Sequence, residues 1–206
     1  MSDESYITKW AAHVGIWDFS NGRCVYKSPE KPEWPYGICV SSVCFSEGTA
    51  RATVRFAELR SAVEASGRLL FGWRSPDDPY LSVGLGGHDR AYCVYRFDPA
   101  DGWAPVVLRT SRQNLIANHT YELSIRVQGQ RVQLEVDSVQ VINHLLSTPM
   151  PHGRLGLFAW GTTSVEFASI SVKEEWIQSA SLIAFQTPAG KTRSTTGWPA
   201  LRSGGD

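Results

Sequence analysis

Two acidic side chains, two residues apart, are the strongest hint of chemistry in this chain. In Glu135-Val136-Asp137-Ser138-Val139-Gln140 an extended backbone would put Glu135 and Asp137 on one face, because successive strand side chains alternate. Paired carboxyl groups can cleave a glycosidic bond when about 5 Å separates them. The surrounding pattern argues against that use. Asp137-Ser138 falls where an alternating run must reverse direction, so the pair reads as a turn and a solvated surface. Nucleophilic chemistry has less support. His13, His88, His119, His144 and His152 stand in turn-like or strand-end contexts, with no Gly-x-Ser-x-Gly and no Cys-His signature. Gly84-x-Gly86-Gly87 ends a strand with no helix behind it to complete an anion site, and reads as a tight turn. Asp77, Asp78, Asp89, Asp98 and Asp101 are scattered over three loops without a Ca²⁺-ligand spacing. No catalytic residue, metal site or cofactor is expected.

A binding face is the better candidate. With Leu81, Val83 and Leu85 turned inward, Tyr80, Ser82 and Gly84 face outward. On the next strand Cys93, Tyr95 and Phe97 are expected inside, leaving Tyr92, Val94 and Arg96 outside. Aromatic rings stack on planar or sugar ligands while Arg and Ser supply hydrogen bonds. Trp73, Arg74, Asp77, Asp78, His88, Asp89, Arg90 and Trp103 would lie near the rim. The expected ligand-binding set is Trp73, Arg74, Tyr80, Ser82, His88, Arg90, Tyr92, Arg96 and Trp103. The plainer alternative is an amphipathic sheet face ringed by turn residues.

The elements that must carry these residues read as strands. Residues 121–127 alternate strictly, with Tyr121, Leu123, Ile125 and Val127 on one face, and 131–136 repeat this with Val132, Leu134 and Val136. Gln128-Gly129-Gln130 joins them, which makes a hairpin with one dry face and one wet face carrying Glu122, Arg126, Arg131 and Glu135. Residues 38–45 and 49–57 look like a pair separated by Glu47-Gly48. Residues 68–74 and 80–85 flank a turn at 75–79, and 90–97, 103–109, 153–160 and 164–172 complete the set. Roughly ten short strands with turn signals every 8–12 residues indicate a sandwich or barrel. The window from Glu58 to Ala65 fits a short helix or a loop equally well.

Composition bounds the rest. The chain has 206 residues, a formal net charge of zero and 19% charged residues, so nothing attracts it globally to nucleic acid or anionic lipid. No apolar run approaches a membrane span. Met1-Ser2-Asp3-Glu4-Ser5 is polar and acidic, unlike a signal peptide, so a cytoplasmic location is expected. In a reducing compartment Cys24, Cys39, Cys44 and Cys93 would be free thiols behaving as small hydrophobes, and the sequon Asn118-His119-Thr120 would stay idle. The eight Trp fit core packing as well as sugar binding. Residues 1–176 read as one domain, and 177–206 as a C-terminal extension expected to be largely disordered.

The pattern Tyr121-Glu122-Leu123-x-Ile125-x-Val127-x-Gly129-x-x-Val132-x-Leu134-x-Val136-Asp137 resembles a hairpin of the concanavalin A-like lectin/glucanase sandwiches, especially their laminin-G-like and keto-glycoside-hydrolase-like branches. Gly153-Arg154-Leu155-Gly156-Leu157-Phe158-Ala159-Trp160, Val165 to Val172, and Phe71 to Gly86 resemble the strands that accompany it, over about residues 10–173. The resemblance implies an all-β, two-sheet antiparallel jelly-roll sandwich. Glucanases of that superfamily carry a pattern like Glu-x-Asp-x-x-Glu on one strand, and here Gln140 stands where the acid/base Glu belongs. Gln cannot protonate a leaving group. The expected function is a non-catalytic recognition module for a carbohydrate-like ligand or a protein partner. The alternatives are a keto-glycoside-hydrolase-like enzyme and a structural oligomerisation domain that forms a homodimer.

Overall fold

Strands whose inward residues are Leu, Val, Ile and Phe need a second layer to cover them. The computed structural model describes residues 4–28, 36–59, 65–87, 92–109, 115–161 and 164–174, apart from the side chains of residues 103, 108 and 109. Its strands are β1 (Ser5–Tyr6), β2 (Trp10–Val14), β3 (Ile16–Ser20), β4 (Arg23–Lys27), β5 (Tyr36–Phe45), β6 (Gly48–Glu58), β7 (Ser66–Trp73) and β8 (Tyr80–Gly86). They continue with β9 (Tyr92–Asp98), β10 (Gly102–Arg109), β11 (Thr120–Gln128), β12 (Arg131–Val136), β13 (Val139–Leu145), β14 (Gly153–Trp160) and β15 (Ser164–Lys173). One sheet has the order β13-β12-β11-β6-β15-β4-β3, with β1 beside β15. The second has the order β10-β9-β8-β7-β14-β5-β2. The chain is an all-β sandwich of two antiparallel sheets. The extension over 177–206 and the middle of the helix-like window, 60–64, lie outside the described residues.

The main core fills the space between the sheets. Leu123, Ile125 and Val127 of β11 and Val132, Leu134 and Val136 of β12 belong to it, as the alternation predicts. Leu69, Phe71, Val83, Leu85, Leu155 and Leu157 enter it from the second sheet. Each such side chain, fully buried, contributes about 1.5–3 kcal/mol. On the wet face of the β11–β12 hairpin, Arg131 donates to Asn143 on β13 at 2.7 Å.

One expectation fails here. Residues 38–45 and 49–57 are not a hairpin: β5 pairs with β14 and β2, whereas β6 pairs with β11 and β15 in the other sheet. A short Gly-containing connection serves an arch between sheets as well as a hairpin within one. Only the long-range pairing tells the two apart. The link from β14 to β15 crosses between sheets in the same way.

A bulge positions the site. β7 and β14 lose register between Arg154 and Gly156, and Gly72 stands at φ +81°, where a Cβ would lie 2.5 Å from the Pro151 carbonyl. Only glycine fits there without strain. Phe71 therefore points into the core, while Trp73, two residues on, joins a second apolar cluster with Tyr80 and Phe158.

Candidate functional site

That second cluster lies on the outer side of the second sheet. Directly opposed residues of antiparallel strands share a face. Tyr80 faces Phe97 and Ser82 faces Tyr95 across β8–β9. Phe158 faces Ile38 across β14–β5, and Trp160 faces Tyr36. Together with Val14, Trp73 and Pro76 these side chains line a groove of about 390 Å³. Two rows of rings form it. In one, Trp73 lies 4.9 Å from Tyr80, and Tyr80 stacks on Phe97 at 4.7 Å. In the other, Phe158 lies 6.3 Å from Tyr36 and 6.5 Å from Trp160. None of the residues named as lining the groove is an Asp or a Glu.

Polar groups in and beside the groove are few, and those of Trp73, Tyr80, Ser82 and Arg68 are buried. Burial, and then the neighbouring Tyr36, hold the Tyr80 phenol well above the ordinary tyrosine range, so it stays a neutral donor and acceptor. The Trp73 indole N–H is buried without an acceptor. Arg68 reaches Ser82 Oγ at 3.5 Å and donates to the Gly86 carbonyl at 3.0 Å. Gly86 and Gly87 have φ of +79° and +99°, and a Cβ on Gly87 would collide with Arg68 Nη2. The glycine pair is thus a close turn, needed because the backbone passes directly over the guanidinium. The loop before β8 is self-contained: Arg74 pairs with Asp78 at 2.9 Å, and Ser75 donates to the same carboxylate at 2.8 Å.

The expected site residues scatter. Trp73 and Tyr80 line the groove, and buried Ser82 lies beside Tyr80 on the same outer face. Arg74 is exposed on the loop, held by Asp78. His88 and Arg90, and the side chain of Trp103, lie outside the described residues. The expected facing of β9 is reversed. Tyr92 and Val94 turn to the main core, and Arg96 stands opposite Leu81 on that same side, paired with Asp98 at 3.5 Å. Cys93, Tyr95 and Phe97 face outward instead. The strand's parity is set by its pairing with β8, and Tyr95 and Phe97 pack on an outer face that is itself apolar. Arg96 lines a separate cavity of about 100 Å³ with Val106 and Leu146.

Sequence reasoning missed Tyr36, Phe158, Trp160 and Arg68. One signal was available. Leu155-Gly156-Leu157-Phe158-Ala159-Trp160 is apolar at every position, which marks a strand buried on both faces. The Glu135/Asp137 pair belongs to the other sheet. Asp137 and Ser138, at φ +50° and +65°, form the turn between β12 and β13, and Asp137 accepts a hydrogen bond from the Glu122 amide at 2.8 Å. Among the described residues no group of three or more His, Cys, Asp or Glu side chains is placed to hold a metal ion. All four cysteines are free; Cys24, Cys39 and Cys93 are buried as expected, but Cys44 is exposed.

No family model and no curated protein matches the sequence. Solved structures do match in three dimensions. The carbohydrate-binding module CBM66 from Bacillus subtilis superposes with a TM-score of 0.66 at 15% identity, over 82% of this chain and 97% of the module. A Bacillus subtilis protein of unknown function with a galectin-like fold gives 0.62 at 10% identity, over 84% and 94%. The Bacillus licheniformis β-glucanase gives 0.58 at 12% identity, over 84% and 98%. At these identities the likeness is one of architecture. The fold is a two-sheet antiparallel jelly-roll sandwich, an architecture shared with a carbohydrate-binding module and a β-glucanase.

Proposed function

We propose that the chain is a non-catalytic recognition module that binds a carbohydrate along the outer groove of its second sheet. One observation carries this reading: a groove of about 390 Å³ walled by Tyr36, Trp73, Tyr80, Phe97, Phe158 and Trp160, with no carboxylate among the described residues that line it. Sugar rings present apolar C–H faces that stack on aromatic planes, and their hydroxyls take up a few fixed polar groups. Hydrolysis would need two carboxyl groups flanking the bond, and the described residues of the lining include none. The carbohydrate-binding module among the structural neighbours supports the same reading. The β11–β12 hairpin pattern carries it one step finer, to a laminin-G-like variant of the sandwich. Free thiols at Cys24, Cys39, Cys44 and Cys93 suit a cytoplasmic setting.

The test is calorimetric titration of the full chain with a panel of neutral and acidic oligosaccharides, alongside a reducing-end assay and light scattering. Binding without release of reducing ends is expected, weakened at least about tenfold by Trp160→Ala, as for the loss of a stacked anchor. Release of reducing ends would make the protein an enzyme. Failure of every saccharide together with a stable dimer would assign the groove to self-association.

A further inference from the structure

Three buried polar atoms without a hydrogen-bond partner sit on one strand: Ser66 Oγ, Arg68 Nε and Trp73 Nε1, all on β7. They share a side. Gly67, between Ser66 and Arg68, packs on the core residues Val54, Val165 and Phe56, so its neighbours face outward. The bulge at Gly72 brings Trp73 to the same outer face. Two of the three atoms are obligate donors, and the hydroxyl can donate.

Arg68 is the most unusual of them. It is 2% exposed and is the one buried charged side chain among the described residues. No carboxylate among the described residues forms an ion pair with it. Its guanidinium lies 4.4 Å from the ring centre of Tyr95 and 5.3 Å from that of Phe158. Phe158, its direct neighbour across β7–β14, lines the groove. Ring faces and two hydrogen bonds offset part of the cost of burying the charge, but they do not neutralise it. The side of the guanidinium formed by Nε and Nη2 is the one that grips a carboxylate with two parallel bonds. Nε is buried without a hydrogen-bond partner, and Nη2 holds the Gly86 carbonyl, which Cys93 Sγ also approaches at 3.0 Å. Nη2 can therefore turn to a ligand and leave that carbonyl with a donor.

We propose that the groove's ligand is an acidic saccharide, a chain bearing uronic-acid carboxylates, and that Arg68 receives one carboxylate beside Phe158. The proposal rests on the carbohydrate reading above and narrows it. A buried cation with an unpaired N–H and no carboxylate partner among the described residues selects an acceptor with negative charge; a neutral sugar would leave that charge unpaired.

The probes are tetragalacturonate and tetramannuronate, each as the free acid and as the full methyl ester, titrated calorimetrically into the full chain at neutral pH. At least one free acid should bind about tenfold or more tightly than its own ester, and added salt should weaken the acid more than the ester. Arg68→Met should abolish the preference while still binding the ester. Arg68→Lys, which keeps the charge and loses Nε, covers the case in which the Met variant fails to fold, and should lose most of the preference. Equal binding of acids and esters, or a preference that survives in these variants, overturns the assignment and leaves the carbohydrate reading standing. Failure of neutral, esterified and acidic saccharides alike removes the carbohydrate reading itself.

Discussion

Both sides of β7 are dry, yet they are dry in different ways. Inward, Leu69 and Phe71 meet the opposite sheet and belong to a core dominated by aliphatic side chains. Outward, Arg68, Leu70 and Trp73 meet no second sheet among the described residues, and half of the buried cluster there is aromatic, with Trp73, Tyr80 and Phe158 beside Ile38, Val40 and Leu70. The inner side is closed by protein. The outer side keeps a groove and leaves donors without acceptors. Packing alone selects for the first arrangement, since open donors in a dry setting cost stability. The second makes sense where something else completes the surface.

Truncation on each side should therefore produce opposite balances of stability and binding. Phe56→Ala, in the core beside Tyr121, should lower unfolding free energy by about 3–5 kcal/mol in urea titrations. Trp160→Ala, half-buried at the groove, should cost only about 1–2 kcal/mol, and its main effect should be the loss of binding. If the two variants destabilise equally and Trp160→Ala binds normally, the outer cluster is merely a second core. Gly72→Ala tests the hinge between the two sides. The left-handed backbone and the Pro151 carbonyl 2.5 Å from the new Cβ should together cost about 1–3 kcal/mol. Trp73 should lose its orientation, visible as a change in tryptophan fluorescence.

The core was legible in the sequence, and the outer face much less so. Alternation in 121–127 and 131–136 needs only neighbouring residues to be read, and all seven inward positions proved to be core. Asp137-Ser138 was legible as a turn for the same reason. The pairing of β5 with β14 was not, because a one- or two-residue connection carries no information about which sheet the next strand joins. The facing of Tyr95 and Phe97 went wrong through a reasonable premise, that aromatic residues point inward, and alternation carried Tyr92 wrong with them. On a strand apolar on both sides that premise has no force. Arg68 reads in sequence as an ordinary outward-facing arginine; that no described carboxylate pairs with it is a fact about residues distant in the chain.

Alkaline pH probes both sides at once. Burial raises the phenols of Tyr26 and Tyr121 in the core and of Tyr80 at the groove, and the thiols of Cys39 and Cys93. The folded state then holds these protons at pH values where the unfolded chain has released them. Stability is accordingly intact below about pH 9 and falls as pH rises past the ordinary Cys and Tyr values of 9.0 and 10.0. Each group contributes a slope of at most about 1.4 kcal/mol per pH unit. Tyr80→Phe should flatten the slope, and a saturating ligand should not restore what Tyr26 and Tyr121 lose.

The smallest effect is a ranking of thiol reactivity, and it tells most directly how closed each side is. Thiol reagents attack the thiolate, so rate depends on access and on ease of ionisation together. Cys44 is exposed and should react first. Cys24 and Cys39 lie between the sheets, where burial and the neighbouring Cys24 thiol push Cys39 well above the ordinary range, so both should wait for global unfolding. Cys93 is equally inaccessible in the folded chain but lies on the outer face, opposite Gly84 and against the Gly86 carbonyl. In a Cys44→Ser background at pH 8, Cys93 should react measurably faster than Cys39, because exposing it requires only a local opening on a face that no second sheet covers among the described residues. A saccharide seated on Phe158 and Arg68 should slow Cys93 and leave Cys39 unchanged. Equal rates for the two thiols would mean that the outer face is held as firmly as the core, and the contrast between the two sides of β7 would then be chemical without being dynamic.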